Sequence, residues 1–242
     1  MTRRNRTARP SSRRAVSALS SPDPLDDRAL TDRGLDLPER ASGRILLIAC
    51  GALAREILDL KTRHGWDHMD VTCLPAILHN HPEQITPRVE QAVRRHRARY
   101  DRIFVVYADC GTGGQLKAAC DRLAVEMIEG PHCYSFLEGN TRFAAHGDSD
   151  LTAFYLTDFL VRQFDAFVWK PLGLDRHPDL RETYFGHYEK LVYQAQTDDP
   201  GLTELARAHA DRLGLAFERR LTGYGDLEAT LSAWADPGSS SC

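Results

Sequence analysis

The sequence predicts an α/β fold whose parallel sheet is built from two or three Rossmann-like βαβ pseudo-repeats. Short apolar runs, of which residues 103–107 are the clearest, alternate with segments of helical spacing. Nearly continuous apolar strands are typical of parallel sheets that are buried on both faces. A shift of ninety residues also aligns residues 109–138 with residues 199–228, without a gap and with nine identities. This alignment indicates two related strand–helix–strand units, and residues 44–79 are a candidate third unit.

The expected strands are short runs rich in β-branched, aromatic and other apolar residues, which favour the extended conformation. The run at 103–107 is followed by glycines, and the run at 44–49 by Cys50 and Gly51, as expected where a strand gives way to a turn. In chain order the expected strands cover residues 44–49, 69–73, 103–107, 124–128, 166–169, 190–196 and 215–220.

The expected helices carry apolar residues three and four positions apart, as Leu53 and Ile57 do in the first of them. Thr86 followed by Pro87 is typical of a helix start, with a capping residue before a proline in the first turn. In chain order the expected helices cover residues 52–63, 86–99, 115–123, 135–138, 151–164, 200–213 and 225–235.

Composition places the chain among ordinary globular proteins. Of its 242 residues, 42 % are hydrophobic and 27 % are charged, and the formal net charge is −3. This charge gives no reason to expect nucleic acid or a membrane surface as the main partner of the core. No apolar run approaches the roughly 18 residues that span a bilayer. The six cysteines are not clustered as in a small secreted scaffold, so we expect free thiols and a cytoplasmic location.

The first 42 residues differ in composition from the rest. They carry six arginines among Ser, Thr, Ala and Pro before the first acidic residue, Asp23, and no apolar period follows. This pattern predicts a disordered arginine-rich extension. A solvated tail is favoured over a basic arm that contacts RNA or an acidic partner, and over a transit peptide. We expect the α/β domain over residues 43–236 and a flexible tail at 237–242.

A glycine-rich turn follows the most apolar strand and reads Asp109-Cys110-Gly111-Thr112-Gly113-Gly114. In α/β folds, ligands bind outside the carboxyl ends of the strands. Glycines at such a turn leave backbone N–H groups free for an anion or let a bound group approach closely. The residues expected to contact a cofactor are therefore Gly111, Thr112, Gly113 and Gly114. Their spacing is not that of a dinucleotide fingerprint, and the sequence has no Walker-type loop.

Two further strand ends also carry cysteines, Cys50 in the first turn and Cys133 after His132. The last repeat unit has Pro200, Thr222 and Gly223 where the middle unit has Cys110, His132 and Cys133, so the scaffold itself does not require thiols. Because carboxyl ends of parallel strands share one edge, we expect the three thiols to meet, with His132 nearby. They would hold a soft metal ion or an iron–sulfur cluster. Three partly buried free thiols are the simpler alternative.

A second hypothesis is an enzyme that acts on a small molecule. Cys110, in a glycine turn at a helix N-terminus, would then be an activated nucleophile. His132 would be its base, and Asp109 the carboxylate that orients the base. His79 and His81 precede a proline and are more typical of a turn than of a ligand pair.

Five motifs together resemble domain-of-unknown-function family 1638, over about residues 43–235. They are Ala49-Cys50-Gly51-Ala52-Leu53, Tyr107-Ala108-Asp109-Cys110-Gly111-Thr112-Gly113-Gly114, Gly130-Pro131-His132-Cys133-Tyr134, Phe154-Tyr155-Leu156-Thr157-Asp158-Phe159 and Gln196-Thr197-Asp198-Asp199-Pro200. The resemblance implies no assigned activity. It does imply genes beside corrinoid-dependent methyltransferases of the trimethylamine and glycine-betaine type, and hence an accessory role in one-carbon transfer. The implied partner is a corrinoid protein or a methyltransferase, and the corrinoid would be bound only by that partner, because the Asp-x-His-x-x-Gly motif is absent here.

Overall fold

Residues 25–37 and 44–236 are described by the structure, a computed structural model. The seven strands in this part of the chain form two sheets, and neighbouring strands within each sheet are parallel. The predicted α/β class is therefore confirmed, with the strands divided between two parallel sheets where the sequence suggested one.

The first sheet has four strands. They are β1 (Ile45–Cys50), β2 (Met69–Leu74), β3 (Arg102–Val106) and β4 (Glu126–Met127), in the spatial order β2-β1-β3-β4. The helices that follow these strands are α2 (Ala54–His64), α3 (Pro82–His96), α4 (Gln115–Arg122), α5 (Cys133–Glu138) and α6 (Asn140–His146), with shorter 3₁₀ turns at Gly51–Leu53, Ala76–Asn80 and Gly147–Asp150.

The second sheet has three strands. They are β5 (Ala153–Thr157), β6 (Lys190–Ala195) and β7 (Ala216–Leu221), in that spatial order. The helices around them are α7 (Asp158–Arg162), α8 (Leu180–Phe185), α9 (Pro200–Leu213) and α10 (Gly225–Ala235), with a π-helical turn at Asp165–Trp169. No helix in either described segment is long and apolar enough to cross a membrane.

The two sheets share one hydrophobic core. Leu47 and Phe104 of the first sheet belong to the same buried cluster as Leu156 and Tyr193 of the second. Helix α10, the last element of the described residues, packs on the first sheet, and its Trp234 stacks on Phe104 with ring centroids 4.4 Å apart. The other face of the first sheet is covered by α3 and α4, which form a separate cluster there. The two sheets therefore pack around a common interior.

The helix expected at residues 151–164 is wrong, because this segment is strand β5 followed by the short helix α7. The apolar positions Phe154, Leu156 and Phe159 fit both a helical and an extended pattern. Parallel pairing of β5 with β6 decides in favour of the strand. The strand expected at residues 166–169 is also wrong, since those residues lie in the π-helical turn.

Helix α3 begins earlier than expected. Pro82, rather than Pro87, occupies the first turn, and Pro87 lies inside the helix. The helix ends at His96, three residues before the expected end. Strand β4 covers two residues of the five expected, because two of its residues pair with β3.

The N-terminal extension is not disordered throughout. Asp27–Asp32 form the short helix α1, and the expectation of disorder is wrong for residues 25–37; residues 1–24 and 38–43 and the tail at 237–242 lie outside the described residues. Leu30 on α1 is 0 % exposed. Asp27 accepts hydrogen bonds from Arg55 at 2.9 Å and from Arg162 at 2.7 Å. Gly51 leaves room for the carbonyl oxygen of Leu30, which lies 2.5 Å from the place a Cβ would take.

The two repeat units have the same order of elements, β3-α4-β4-α5 and β6-α9-β7-α10. Their strand registers differ, however. Phe104 pairs with Glu126 in the first sheet, so a strict shift of ninety would pair Gln194 with Ala216, whereas Gln194 pairs with Arg220. The first turn of α9 occupies the place of the glycine loop in the middle unit. The loop that carries Cys110 is thus a local departure from the repeat.

Candidate functional site

Three thiols, those of Cys50, Cys110 and Cys133, line one cavity, and the expectation that they hold one metal stays a prediction. Cys50 is the last residue of β1, Cys110 lies in the loop after β3, and Cys133 begins α5. All three are free and partly exposed. The cavity has a volume of about 30 Å³. The other residues that line it are Ala52, Leu53, His79, Tyr107, Ala108, Leu137, Thr157, Leu160 and Phe167.

The cavity lies where the carboxyl ends of the two sheets meet. Cys50 and Ala108 come from the ends of β1 and β3, while Thr157 ends β5. The ends of β1 and β3 in the first sheet and the end of β5 in the second therefore border the cavity. Crevices at the carboxyl ends of parallel strands are the usual binding places of α/β folds.

The loop around Cys110 is held by the carboxylate of Asp109. This carboxylate accepts hydrogen bonds from the hydroxyl of Thr112 at 2.8 Å and from the backbone N–H groups of Gly113 at 3.1 Å and Gly114 at 2.7 Å. The backbone N–H of Thr112 donates to the carbonyl of Asp109. These three amides are therefore not free to bind an anion, while the expectation that Gly111, Thr112, Gly113 and Gly114 contact a cofactor stays a prediction.

Cys110 has an unusual backbone conformation for a residue with a side chain. Its φ is 47°, and those of Gly111, Gly113 and Gly114 are also positive. A non-glycine residue in the left-handed region costs about 1–2 kcal/mol. Such strain is often found at functional sites. The loop therefore directs the Cys110 thiol at an energetic cost that a glycine would not have.

Two backbone hydrogen bonds join the Cys110 loop to the Cys133 loop. The N–H of Asp109 donates to the carbonyl of Gly130 and the N–H of Cys110 to that of Pro131, both at 3.1 Å. Through this pairing Cys110 and Cys133 become neighbours, and the charge of Cys110 contributes to raising the pKa of Cys133.

The cavity keeps the thiols protonated. Burial raises the pKa of Cys50 to about 11, and backbone and Tyr107 interactions offset only part of this effect. Burial, followed by the neighbouring Cys50, raises the pKa of Cys110 to about 12. Burial and then the charges of Cys110 and Cys50 raise the pKa of Cys133 well above its ordinary value. Three thiolates would repel one another here, so only a cation among them would favour the ionised form.

Tyr107 presents an unpaired hydroxyl beside these thiols. The residue is 2 % exposed and lines the cavity. Its hydroxyl lowers the pKa of Cys50, yet the group satisfies no hydrogen-bond geometry with any described residue. Buried hydroxyls nearly always have a partner, so an unpaired one points to a bound group or water in the cavity.

The two histidines near the thiols occupy different places. His132 is exposed and lines an open cleft of about 330 Å³, together with Cys110 and Cys133. His79, on the 3₁₀ turn after β2, lines this cleft and also the inner cavity. Although His79 is open to solvent on one side, burial and then the charge of His132 lower its pKa. The sequence predicts a turn at His79, and the local indication of a site there is its position shortly after a strand end.

The arrangement does not form a nucleophile with its base. Among the described residues, Cys110 and His132 share no hydrogen bond, and Asp109 uses its carboxylate to hold the loop. The raised pKa of the Cys110 thiol also opposes nucleophilic activation, which requires a thiolate near neutral pH. The candidate roles of His132 as a base and Asp109 as its orienting group are therefore not supported.

The donors surround the cavity without converging on one point. No group of three or more His, Cys, Asp and Glu side chains within residues 25–37 and 44–236 is arranged so that it could hold a metal ion as it stands. The three thiols thus share a cavity, but their sulfurs must move closer to one another before they can bind a single ion.

Glu56 on α2 is a buried acid that sequence reasoning missed. It is 4 % exposed, and one of its carboxylate oxygens has no hydrogen-bond partner among the described residues. Burial raises its pKa to about 7, partly offset by Arg162 and Arg55. The charge of its carboxylate contributes to raising the pKa values of Cys50 and Cys73. In the sequence, burial of Glu56 is indicated by its position next to Ile57, on the apolar face of the predicted helix.

Comparisons with known proteins give a family and a distant structural likeness. A family model described as "Protein of unknown function (DUF1638)" matches residues 73–231, a range that contains Cys110 and Cys133 and begins after Cys50. Ornithine carbamoyltransferase from Pyrococcus furiosus is similar at 14 % identity and a TM-score of 0.26, over 75 % of this chain and 56 % of that enzyme. The chain thus spans little more than half the length of that protein. No curated protein shows significant similarity.

Proposed function

This chain belongs to the DUF1638 family, and we propose that it binds a thiophilic metal ion through Cys50, Cys110 and Cys133. The observation that carries the proposal is the shared cavity, which three thiols line beside an unpaired tyrosine hydroxyl. Soft thiolate ligands select metals such as zinc and monovalent copper.

The size of the cavity favours a single ion over an iron–sulfur cluster. Its volume of about 30 Å³ accommodates one or two water-sized groups. A [4Fe–4S] cluster has eight inorganic atoms and would have to extend into the open cleft beyond Cys110 and Cys133. An ion fits the cavity itself.

The energy available from a metal is large compared with the backbone strain of a single loop residue. Apparent binding free energies of structural zinc are about 10–16 kcal/mol, whereas the strain of one residue in the left-handed region is about 1–2 kcal/mol. The loops that carry Cys110 and Cys133 are already joined by backbone hydrogen bonds. They would therefore approach Cys50 as one unit.

The biological role that we propose is that of an accessory protein in corrinoid-dependent one-carbon metabolism, such as the demethylation of methylamines or betaine, in the cytoplasm. This part of the proposal is supported by the family resemblance and the gene neighbourhoods that it implies. A corrinoid protein or a methyltransferase would be the partner, and the metal site would serve that partner. The five free cysteines of the described residues agree with a reducing compartment.

The test is metal binding by the full chain purified without oxygen. Titration with Zn²⁺ against a chromophoric chelator should show one equivalent bound, and Cys50→Ser, Cys110→Ser and Cys133→Ser should each weaken binding at least tenfold. Cys120→Ser is the matched control, because Cys120 is a free buried thiol of α4 outside the cavity. Binding that is absent, or equally affected by Cys120→Ser, would contradict the proposal.

A further inference from the structure

One nitrogen donor lies among the three thiols. Of the described residues that line the inner cavity, His79 alone has a nitrogen-containing side chain. The remaining lining is apolar apart from the hydroxyls of Tyr107 and Thr157. The cavity thus brings together three sulfur donors and one imidazole, a set that occurs in closed, four-coordinate zinc sites.

The fold fixes His79 at the boundary between the cavity and the open cleft. It lies on the 3₁₀ turn Ala76–Asn80, directly after Pro75 and the end of β2. Its ring is 6.3 Å from that of Phe167, which lines the cavity from the side of the second sheet. His132 does not line the cavity and is exposed in the cleft.

We propose that His79, rather than His132, is the fourth ligand of the metal bound by Cys50, Cys110 and Cys133. This inference rests on the proposed function. Binding of a divalent ion would release three protons to solvent as the thiols become thiolates, while the neutral imidazole contributes a lone pair and loses no proton.

A closed ligand set has a consequence for the kind of site. Catalytic zinc keeps one position open for water or substrate, whereas four protein ligands leave none. With His79 bound, the ion would be held for structure or for transfer. Since His79, Cys110 and Cys133 also line the open cleft, an incoming donor or acceptor of the metal can reach these ligands before Cys50.

Co²⁺ is the probe that separates the sulfur ligands from the nitrogen ligand. The full chain, kept free of oxygen, should give thiolate-to-cobalt charge-transfer absorption and the visible bands of tetrahedral Co²⁺. His79→Ala should keep the charge-transfer absorption, shift the visible bands and weaken Co²⁺ binding by about 10- to 100-fold. His81→Ala is the matched control, because His81 lies two residues further along and lines neither space.

A second variant keeps four ligands and covers the case in which His79→Ala fails to fold. His79→Cys should raise the charge-transfer intensity by about one third, as a fourth thiolate replaces the imidazole. Unchanged visible bands in His79→Ala, or a shift that occurs in His132→Ala instead, would overturn the assignment of His79 and leave metal binding by the thiols intact. An absence of Co²⁺ binding by the unmodified chain would instead overturn the proposed function itself.

Discussion

The backbone N–H of Gly114 donates a hydrogen bond to the carboxylate of Asp109 at 2.7 Å, across the loop that carries Cys110. Sequence reasoning made Asp109 a partner of a catalytic histidine. In the structure its oxygens hold the loop closed, and the loop in turn holds the Cys110 thiol at the cavity. Asp109 is thus a positioning residue for the thiol site, which leads to the first prediction.

Asp109→Asn should destabilise the protein by about 1 kcal/mol at neutral pH, because a partly solvated charged acceptor is lost. Burial opposes ionisation of this carboxyl, but hydrogen bonds from Gly114, Thr112 and Gly113 outweigh it and lower the pKa below the ordinary 3.8. The stabilisation is therefore present above about pH 4 and is lost as the pH falls through the lowered pKa.

Urea unfolding at pH 7 and pH 3 measures this difference, and hydrogen exchange of the Gly113 and Gly114 amides reports on the loop itself. Asp121→Asn, at an exposed site of α4, should change stability by less than about 0.5 kcal/mol. Equal effects of the two substitutions would show that Asp109 does not hold the loop.

Cys110→Gly should be more stable than Cys110→Ala by about 1 kcal/mol, because residue 110 has a φ of 47° and glycine adopts that conformation without strain. Both variants lack the thiol, so both should lose metal binding. Thermal unfolding of the pair without metal measures the difference.

The control for this comparison is Cys120 within helix α4. There the order should be reversed, with Cys120→Gly less stable than Cys120→Ala by about 1 kcal/mol. The same order at both positions would contradict the left-handed conformation of Cys110.

Glu56→Gln should flatten the dependence of stability on pH between about 4.5 and 7. The folded-state pKa of Glu56 is raised by burial to about 7, from 4.5. Its contribution to stability is therefore fully present below pH 4.5 and is lost as the pH rises to 7, to an extent on the order of 3 kcal/mol. Glutamine lacks this titration.

Urea unfolding at pH 5, 6, 7 and 8 gives the two profiles. Glu83→Gln, at an exposed position in the first turn of α3, should follow the unmodified protein. Parallel profiles for Glu56→Gln and the unmodified protein would mean that Glu56 titrates normally.

The affinity for Zn²⁺ should rise steeply with pH, by up to about 10³-fold per unit near neutrality if three thiols lose protons on binding. The raised pKa values of Cys50, at about 11, and Cys110, at about 12, keep both protonated in the free protein at neutral pH. Calorimetry in buffers of different ionisation enthalpy counts the protons released. Binding of Zn²⁺ to Cys133→Ser should release one proton fewer. A count of zero protons for the unmodified chain would show that the thiols are not the ligands.

The placement of the three cysteines around one cavity depends on a simple property of parallel sheets, which the sequence reveals. Cys50 and Cys110 follow apolar strands, and such strands end along one edge. His79 follows β2 within a 3₁₀ turn, whose direction no periodicity determines, so its place beside the thiols could not be predicted.

The second sheet was harder to foresee, for a different physical reason. The apolar residues of 151–164 satisfy both helical and extended periods, and the choice is made by pairing with β6, more than thirty residues further along the chain. The division into two sheets likewise depends on which strands pair laterally. That information lies in tertiary contacts rather than in any local pattern.

The packing of Leu30 over Gly51 determines where the protein can be shortened. Composition suggests a cut at residue 43, which would remove α1 together with the arginine-rich stretch. Such a truncation would strip a fully buried leucine, worth about 1.5–3 kcal/mol, from the turn that follows Cys50. It would also remove Asp27 from between Arg55 and Arg162. A shortened chain that keeps these contacts at the turn after Cys50 must therefore retain helix α1.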